Sequence, residues 1–208
     1  AIQLVKQIAR GLTAFHRMGA IHQDLKPGNI MYLSDGRLKI VDFGSVFIAG
    51  LAEIYSPLQH EAALGTAAYS DPHYLLGHNS GVQGDIYALA TIAYELFSGG
   101  HLPYGNAVEE CRTASDYDKL RYHNASQFNA VIPTWFDRAL QKGVSLDLSQ
   151  RYQSISQLLT DLQQPNPAFL HEEVKQEHKT NPLLLWQLLS GFWFITLLLV
   201  VWLFLLKR

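Results

Sequence analysis

A chain of 208 residues, 48% hydrophobic and 16% charged, is long enough to bury one core and carry an appendage, and its composition excludes a disordered protein. The formal net charge of -2, with Lys and Arg scattered rather than gathered into a stripe, leaves no electrostatic footprint for nucleic acid. Cys111 is the single cysteine, so no intrachain disulfide can form, and nine dispersed histidines show no metal-ligand spacing.

In chain order, the first eighteen residues put Ile2, Val5, Ile8, Leu12 and Phe15 on one helical face. The polar stretch His22-Gln23-Asp24-Leu25-Lys26-Pro27-Gly28-Asn29 follows. Ile30 to Leu33 and Leu38 to Val41 then read as two short strands, joined by an Asp35-Gly36 turn. That hairpin holds Asn29 and the next turn, Asp42-Phe43-Gly44, side by side, with Phe43 expected to anchor in the core and Gly44 to free the backbone. Further on, Asp85 precedes the run Ile86 to Phe97, apolar almost all round and stopped by Gly99-Gly100, which describes a buried central helix. Trp135 to Leu140 and Ile155 to Leu162 read as amphipathic helices. Residues 164–182, with Pro165, Pro167 and Pro182 and a mixed-charge stretch, read as a linker. Leu183 to Leu206 runs 24 residues without a charge. At about 1.5 Å per residue it would extend roughly 36 Å, enough to cross a bilayer core of about 30 Å, with Trp186 and Trp202 near its ends.

The ordered set His22, Asp24, Lys26, Asn29 and Asp42 resembles the catalytic loop and metal-binding turn of eukaryotic-type (Hanks-type) protein kinases, and Lys26-Pro27 resembles the Ser/Thr version. The fold implied is mainly α with a small β-hairpin: a protein-kinase-like C-terminal lobe over residues 1–163, a linker, and a single transmembrane helix over 183–206. The resemblance implies ATP and Mg²⁺ as cofactors and protein Ser/Thr hydroxyls as acceptors. Phosphoryl transfer asks little covalent work of the protein, so positioning and charge stabilisation carry it. Asp24 would orient the acceptor hydroxyl as base, Lys26 would sit over the transferring phosphate, and Asn29 and Asp42 would hold magnesium. Gly65 to Pro72 resembles the end of a kinase activation segment, in which Thr66 would bond toward Asp24 and Lys26. His22 and Gly44 would support the site, and Asp85 would either bond the catalytic-loop backbone or act as a helix N-cap.

Several positions depart from the family pattern. Gln23 stands where many kinases carry an arginine that reads a phosphorylated activation loop, and Gly28 replaces a glutamate that some use to read basic substrates. Arg151 resembles the arginine that closes this lobe, but His73 stands where its glutamate partner is expected. Arg151 is therefore expected to find backbone carbonyls or another acid, or to lie at the surface. No Gly-rich phosphate loop or strand lysine occurs, and the chain starts inside a helix, so the resemblance implies an N-terminal lobe upstream and negligible transfer by these residues alone. Local similarity over Asp42 to Ile54, with the C-terminal hydrophobic run, resembles the kinase half of bacterial bifunctional Ser/Thr kinase/phosphatase proteins, which implies an upstream phosphatase domain. The C-terminal hydrophobic run implies a single-pass anchor, and for a protein so anchored the need for ATP puts the lobe in the cytoplasm. The alternatives are a membrane-tethered pseudokinase acting as an interaction module and, were the chain complete, an anchored binding protein.

Overall fold

The computed structural model describes residues 1–48 and 67–170, together with Trp186, Gln187, Ser190, Trp193 and Thr196. The chain divides into two units, Ala1–Phe169 and Leu170–Arg208.

Helix α1 (Ile2–Arg17) follows the apolar spacing: Val5, Ile8, Ala9 and Leu12 are buried, and His16 and Arg17 lie in the last turn, where basic side chains complement the helix dipole. Strand β1 (Ala20–Ile21) leads into the polar loop, which ends in a 3₁₀ turn at Pro27–Asn29. The hairpin forms as expected, β2 (Ile30–Tyr32) pairing antiparallel with β3 (Leu38–Ile40), and Gly36 takes φ of 81° in the connecting turn. Gln7 of α1 ties the hairpin down, donating to the Gly36 carbonyl at 3.1 Å and accepting from the Leu38 amide at 3.0 Å.

The centre of the first unit is α3 (Val82–Ser98), in which every residue from Asp85 to Tyr94 is buried. Its apolar surface on all sides has a partner on all sides: α1, α5 (Thr134–Gly143) and α6 (Ile155–Asp161) all pack against it. Gly99 ends it in the left-handed conformation with φ of 78°. Short elements fill the remaining edge: α2 (Pro72–Leu75), α4 (Ala114–Tyr117) and 3₁₀ turns at Gly105–Glu110 and Ala125–Gln127. Asp137, buried within α5, accepts from Tyr122 Oη at 2.7 Å, the Ala125 amide at 3.0 Å and Ser126 Oγ at 2.8 Å, so one carboxylate organises the last of those turns.

Three expectations are corrected. The β content is not one hairpin, because β1 also pairs antiparallel with β4 (Phe47–Ile48), forming a second two-stranded sheet that brackets the polar loop and the Asp42 turn. Phe43 is 54% exposed rather than anchored in the core, its ring stacked on Phe15. The transmembrane helix over 183–206 is overturned: among the described residues no helix is long and apolar enough to cross a membrane. Trp186, Gln187, Ser190, Trp193 and Thr196 are helical, whereas a span needs about 20 consecutive apolar helical residues, and the rest of that stretch lies outside the described residues. The single-pass anchor, the membrane partner and the cytoplasmic placement derived from the anchor fall with it.

The close approach of α5 to α3 depends on Gly143, where a Cβ would come within 2.5 Å of Ala90 Cβ. Gly143→Ala is expected to lower stability by about 1–3 kcal/mol through overpacking, measured by urea denaturation. An unchanged midpoint would mean that the two helices can part freely.

Candidate active site

The site is built on the buried face of α3. Asp85, 1% exposed, sends both carboxylate oxygens toward the loop after β1: Oδ2 accepts from the His22 amide at 2.9 Å and Oδ1 from the Gln23 amide at 2.9 Å. The N-cap of α3 is Gly81, so of the two roles open to Asp85 it is the loop contact that the structure contains. Gln23 has φ of 66°, a conformation costly for a residue with a side chain, and the Asp85 clamp holds it there. His16 adds a third contact, its Nε2 lying 2.8 Å from Asp85 Oδ2.

That turn delivers the polar groups. Lys26 Nζ donates to Asp24 Oδ2 at 2.8 Å and to Oδ1 at 3.1 Å. Asn29, 6% exposed, donates from Nδ2 to the Asp24 carbonyl at 2.7 Å and to Asp24 Oδ2 at 3.1 Å. Asp24, Lys26 and Asn29 thus form one cluster, with the Asp24 side chain still 13% exposed. Asp42 is brought alongside by backbone, the Val41 amide donating to the Asn29 carbonyl at 2.9 Å across the hairpin. It has φ of 64°, and its Oδ1 accepts from the Gly44 amide at 3.3 Å; the left-handed conformation of this turn falls on Asp42 rather than on Gly44. His22 is fully buried with neither ring nitrogen hydrogen-bonded, its ring 6.0 Å from Phe15 and 6.0 Å from Phe43. It is a packing element. Thr66 lies outside the described residues.

The donor set fits magnesium. With Nδ2 of Asn29 committed to Asp24, its Oδ1 remains as a hard oxygen donor, and exposed Asp42 supplies a carboxylate. Among the described residues no group of three or more His, Cys, Asp or Glu could hold a metal. Sparse protein ligation is the habit of Mg²⁺ bound together with phosphate and water.

Sequence reasoning missed two contacts, those of His16 and Tyr69. His16 lies on the helix before the loop, with no local signal of its distant partner. Tyr69 donates to Glu95 Oε2 at 2.7 Å, and burial followed by that carboxylate pushes the phenol well above its usual range. Arg151, 2% exposed, donates to Asp71 Oδ2 at 2.7 Å and Oδ1 at 3.3 Å, and to the Ser145 and Gln83 carbonyls at 2.8 and 3.0 Å. Of the outcomes expected for Arg151, another acid and backbone carbonyls are both present.

A family model described as the protein kinase domain matches residues 1–167. The chain belongs to the protein kinase domain family. It is 29% identical over 162 residues to a probable serine/threonine-protein kinase PknB of Lactococcus lactis, covering 78% of this chain and 25% of that protein. It is 31% identical over 164 residues to the serine/threonine-protein kinase PknL of Mycobacterium tuberculosis, covering 78% of this chain and 39% of that one. The crystal structure of the Mycobacterium tuberculosis PknI kinase domain superposes with a TM-score of 0.56 at 22% identity, over 79% of this chain and 54% of that one, and so shares the fold. The chain thus spans well under half the length of these curated relatives. The narrower expectation is corrected: the match is to the protein kinase domain and to serine/threonine kinases, not to a bare C-terminal lobe of a bifunctional kinase/phosphatase with a membrane helix.

The Asp71–Arg151 pair predicts a pH dependence. Burial raises the Asp71 carboxyl, but the Arg151 hydrogen bond and charge, with bonds from Ser80 and the His73 amide, more than offset this and hold it below the ordinary 3.8. A depressed value means that the stabilisation is complete above about pH 4 and is lost as pH falls through the folded value. Asp71→Asn is expected to lower stability by about 3 kcal/mol at neutral pH. The gap should narrow below pH 4 in denaturation curves, and a gap constant down to pH 2 would contradict this.

Proposed function

We propose that this protein transfers the γ-phosphoryl group of ATP to Ser or Thr hydroxyls of protein substrates, with residues 22–44 as the reaction centre. The observation that carries the reading is the cluster itself: a partly exposed Asp24 carboxylate held by Lys26 Nζ and Asn29 Nδ2, in a loop whose backbone is pinned by buried Asp85. The family membership supports the same reading.

Asp24 accepts the hydrogen bond of the acceptor hydroxyl and takes its proton as the bond from that oxygen to the γ-phosphorus forms and the bond to the β–γ bridging oxygen breaks, with ADP leaving. Its contacts with Lys26 and Asn29 hold it in one orientation, so little reorganisation accompanies the reaction. Lys26, 26% exposed at its side chain, can lean from Asp24 toward the transferring phosphate as a point charge. Asn29 Oδ1 and the Asp42 carboxylate are the groups that would hold Mg²⁺, which when bound neutralises charge on the phosphate oxygens. Val41 pairs with Asn29 at the end of the hairpin, so the backbones of Asn29 and Asp42 are held near one another. His22, Gly44 and Asp85 act through these groups and touch no reactant.

The test is transfer of radiolabelled phosphate from ATP with magnesium by the full-length protein, compared with its Asp24→Asn and Asp42→Asn variants. Each substitution is expected to lower kcat by about 10²- to 10⁴-fold with the circular dichroism spectrum unchanged. Label on Ser or Thr lost in both variants supports the assignment. Absence of label from the unmutated protein with ATP binding intact would identify a pseudokinase binding module, and unfolding of either variant would give that residue a structural role.

A further inference from the structure

We infer that the cleft between the end of α5 and the exposed face of α6 is a binding site for a phosphate monoester, held by Lys142 and separate from the reaction centre. The cleft has a volume of about 350 Å³, the size of a small ligand rather than of a few waters. Every residue lining it carries a polar side-chain group: Lys142 from the last turn of α5, Tyr152 from the loop before α6, Ser156, Gln157, Thr160 and Asp161 from α6, and Asn166 from the segment after it. None of them belongs to residues 22–44, so the site stands whether or not the chain transfers phosphate.

The balance of donors and acceptors sets the charge of the ligand. Asp161 is already satisfied: it is 9% exposed, its Oδ2 accepts from Tyr152 Oη at 2.8 Å, and its Oδ1 accepts from Asn166 Nδ2 at 3.0 Å. Lys142 is the opposite case. It makes no ion pair among the described residues, and its ammonium lies over the Tyr152 ring, 4.6 Å from the centroid. The ring holds that cation without consuming any of its three donors. Because Tyr152 is itself fixed by Asp161, the acid positions the cation through the ring instead of neutralising it. On the α6 side, Gln157 uses its Oε1 on the Gln153 amide at 3.0 Å, which leaves Nε2 as a donor. Ser156 Oγ lies 3.0 Å from Ser154 Oγ, and with Ser154 as the donor the Ser156 proton is free to turn into the cleft. Thr160 Oγ1 donates to the Ser156 carbonyl at 2.9 Å and keeps no proton to offer. The cleft thus presents an ammonium, an amide and a hydroxyl that need acceptors, while its one carboxylate is occupied. A planar carboxylate is best matched by the fork of an arginine, whereas a lysine point charge among separate single donors suits the tetrahedral oxygens of phosphate. Two sources supply that group, a small free phosphate ester and a phosphorylated Ser or Thr side chain.

The test is calorimetric titration of the full-length protein, at constant ionic strength, with inorganic phosphate, with a phosphoserine peptide and with the same peptide unphosphorylated. Lys142→Gln removes the charge and is expected to raise Kd for phosphate about tenfold, whereas Lys142→Arg should hold it within about threefold. Thr160→Glu, on the exposed face of α6, sets a carboxylate beside the cleft and should abolish binding by repulsion, so the outcome does not hang on the folding of one variant. Hydrogen exchange should slow on addition of phosphate at residues 153–163 and not at residues 22–29. A phosphopeptide that binds more tightly than phosphate, in a manner lost in Lys142→Gln, assigns the site to a modified side chain; equal affinities assign it to a free phosphate ester. Binding unchanged in Lys142→Gln and Thr160→Glu, protection appearing at residues 22–29 instead, or no saturable binding at all would overturn the proposal.

Discussion

The contact on which the rest of this protein depends is made by a carboxylate with almost no exposure to water. Asp85 sits in the first turn of the most deeply buried helix and commits both oxygens to the backbone amides of His22 and Gln23. An ionised carboxylate in such a place is tolerated only when hydrogen-bonded, and here the donors it needs are those of a loop that must be held open. The same two hydrogen bonds thus offset both the strain of the loop's backbone and the cost of burying the carboxylate. The polar groups of the loop, Asp24, Lys26 and Asn29, follow within about six residues of the pinned Gln23 amide, and the hairpin brings Asp42 back to them.

The same pattern recurs at the other buried carboxylates among the described residues. Asp137 organises a 3₁₀ turn, Asp161 accepts from Tyr152 Oη at 2.8 Å, and Asp71 ties a segment end to Arg151. Each acid is nearly inaccessible and each serves two or more donors, which is the condition under which burying it stabilises rather than disrupts. Two buried tyrosines obey the complementary rule. Tyr94 and Tyr104 bury their rings around α3 and reach the His123 and Val144 carbonyls with their hydroxyls, and burial pushes both phenols up to about 12. The core of this unit is consequently cross-linked by polar contacts between elements distant in sequence.

Two arrangements join chemistry to fold. The hairpin brings Asn29 beside the Asp42 turn by main-chain pairing, while the sheet formed by β1 and β4 closes the same region from its other side. The two sheets are formed by the strands on either side of the polar loop and the Asp42 turn, and α3 holds that loop through Asp85. The ring of Phe43 lies against Phe15 and His22 with more than half of its surface exposed, so the Asp42 turn is braced on one face only.

What the sequence by itself determined is whatever local spacing controls: the helices from Ile2 and Ile86 onward, the Asp-Gly hairpin, and the order of Asp24, Lys26, Asn29 and Asp42 along one short stretch. Periodicity and turn chemistry act over a few residues, so these could be read without a partner in view. An apolar run also suggested a membrane span, because hydropathy alone counts residues and does not say how long a helix they form. Only the tertiary structure decided that β4 pairs with β1, that His16 joins Asp85, and that Arg151 takes Asp71 instead of the residue after Pro72. The physical reason is common to all three. A buried donor accepts whichever acceptor the packing brings within about 3 Å, and that choice is made between positions tens of residues apart, where no local pattern exists to record it.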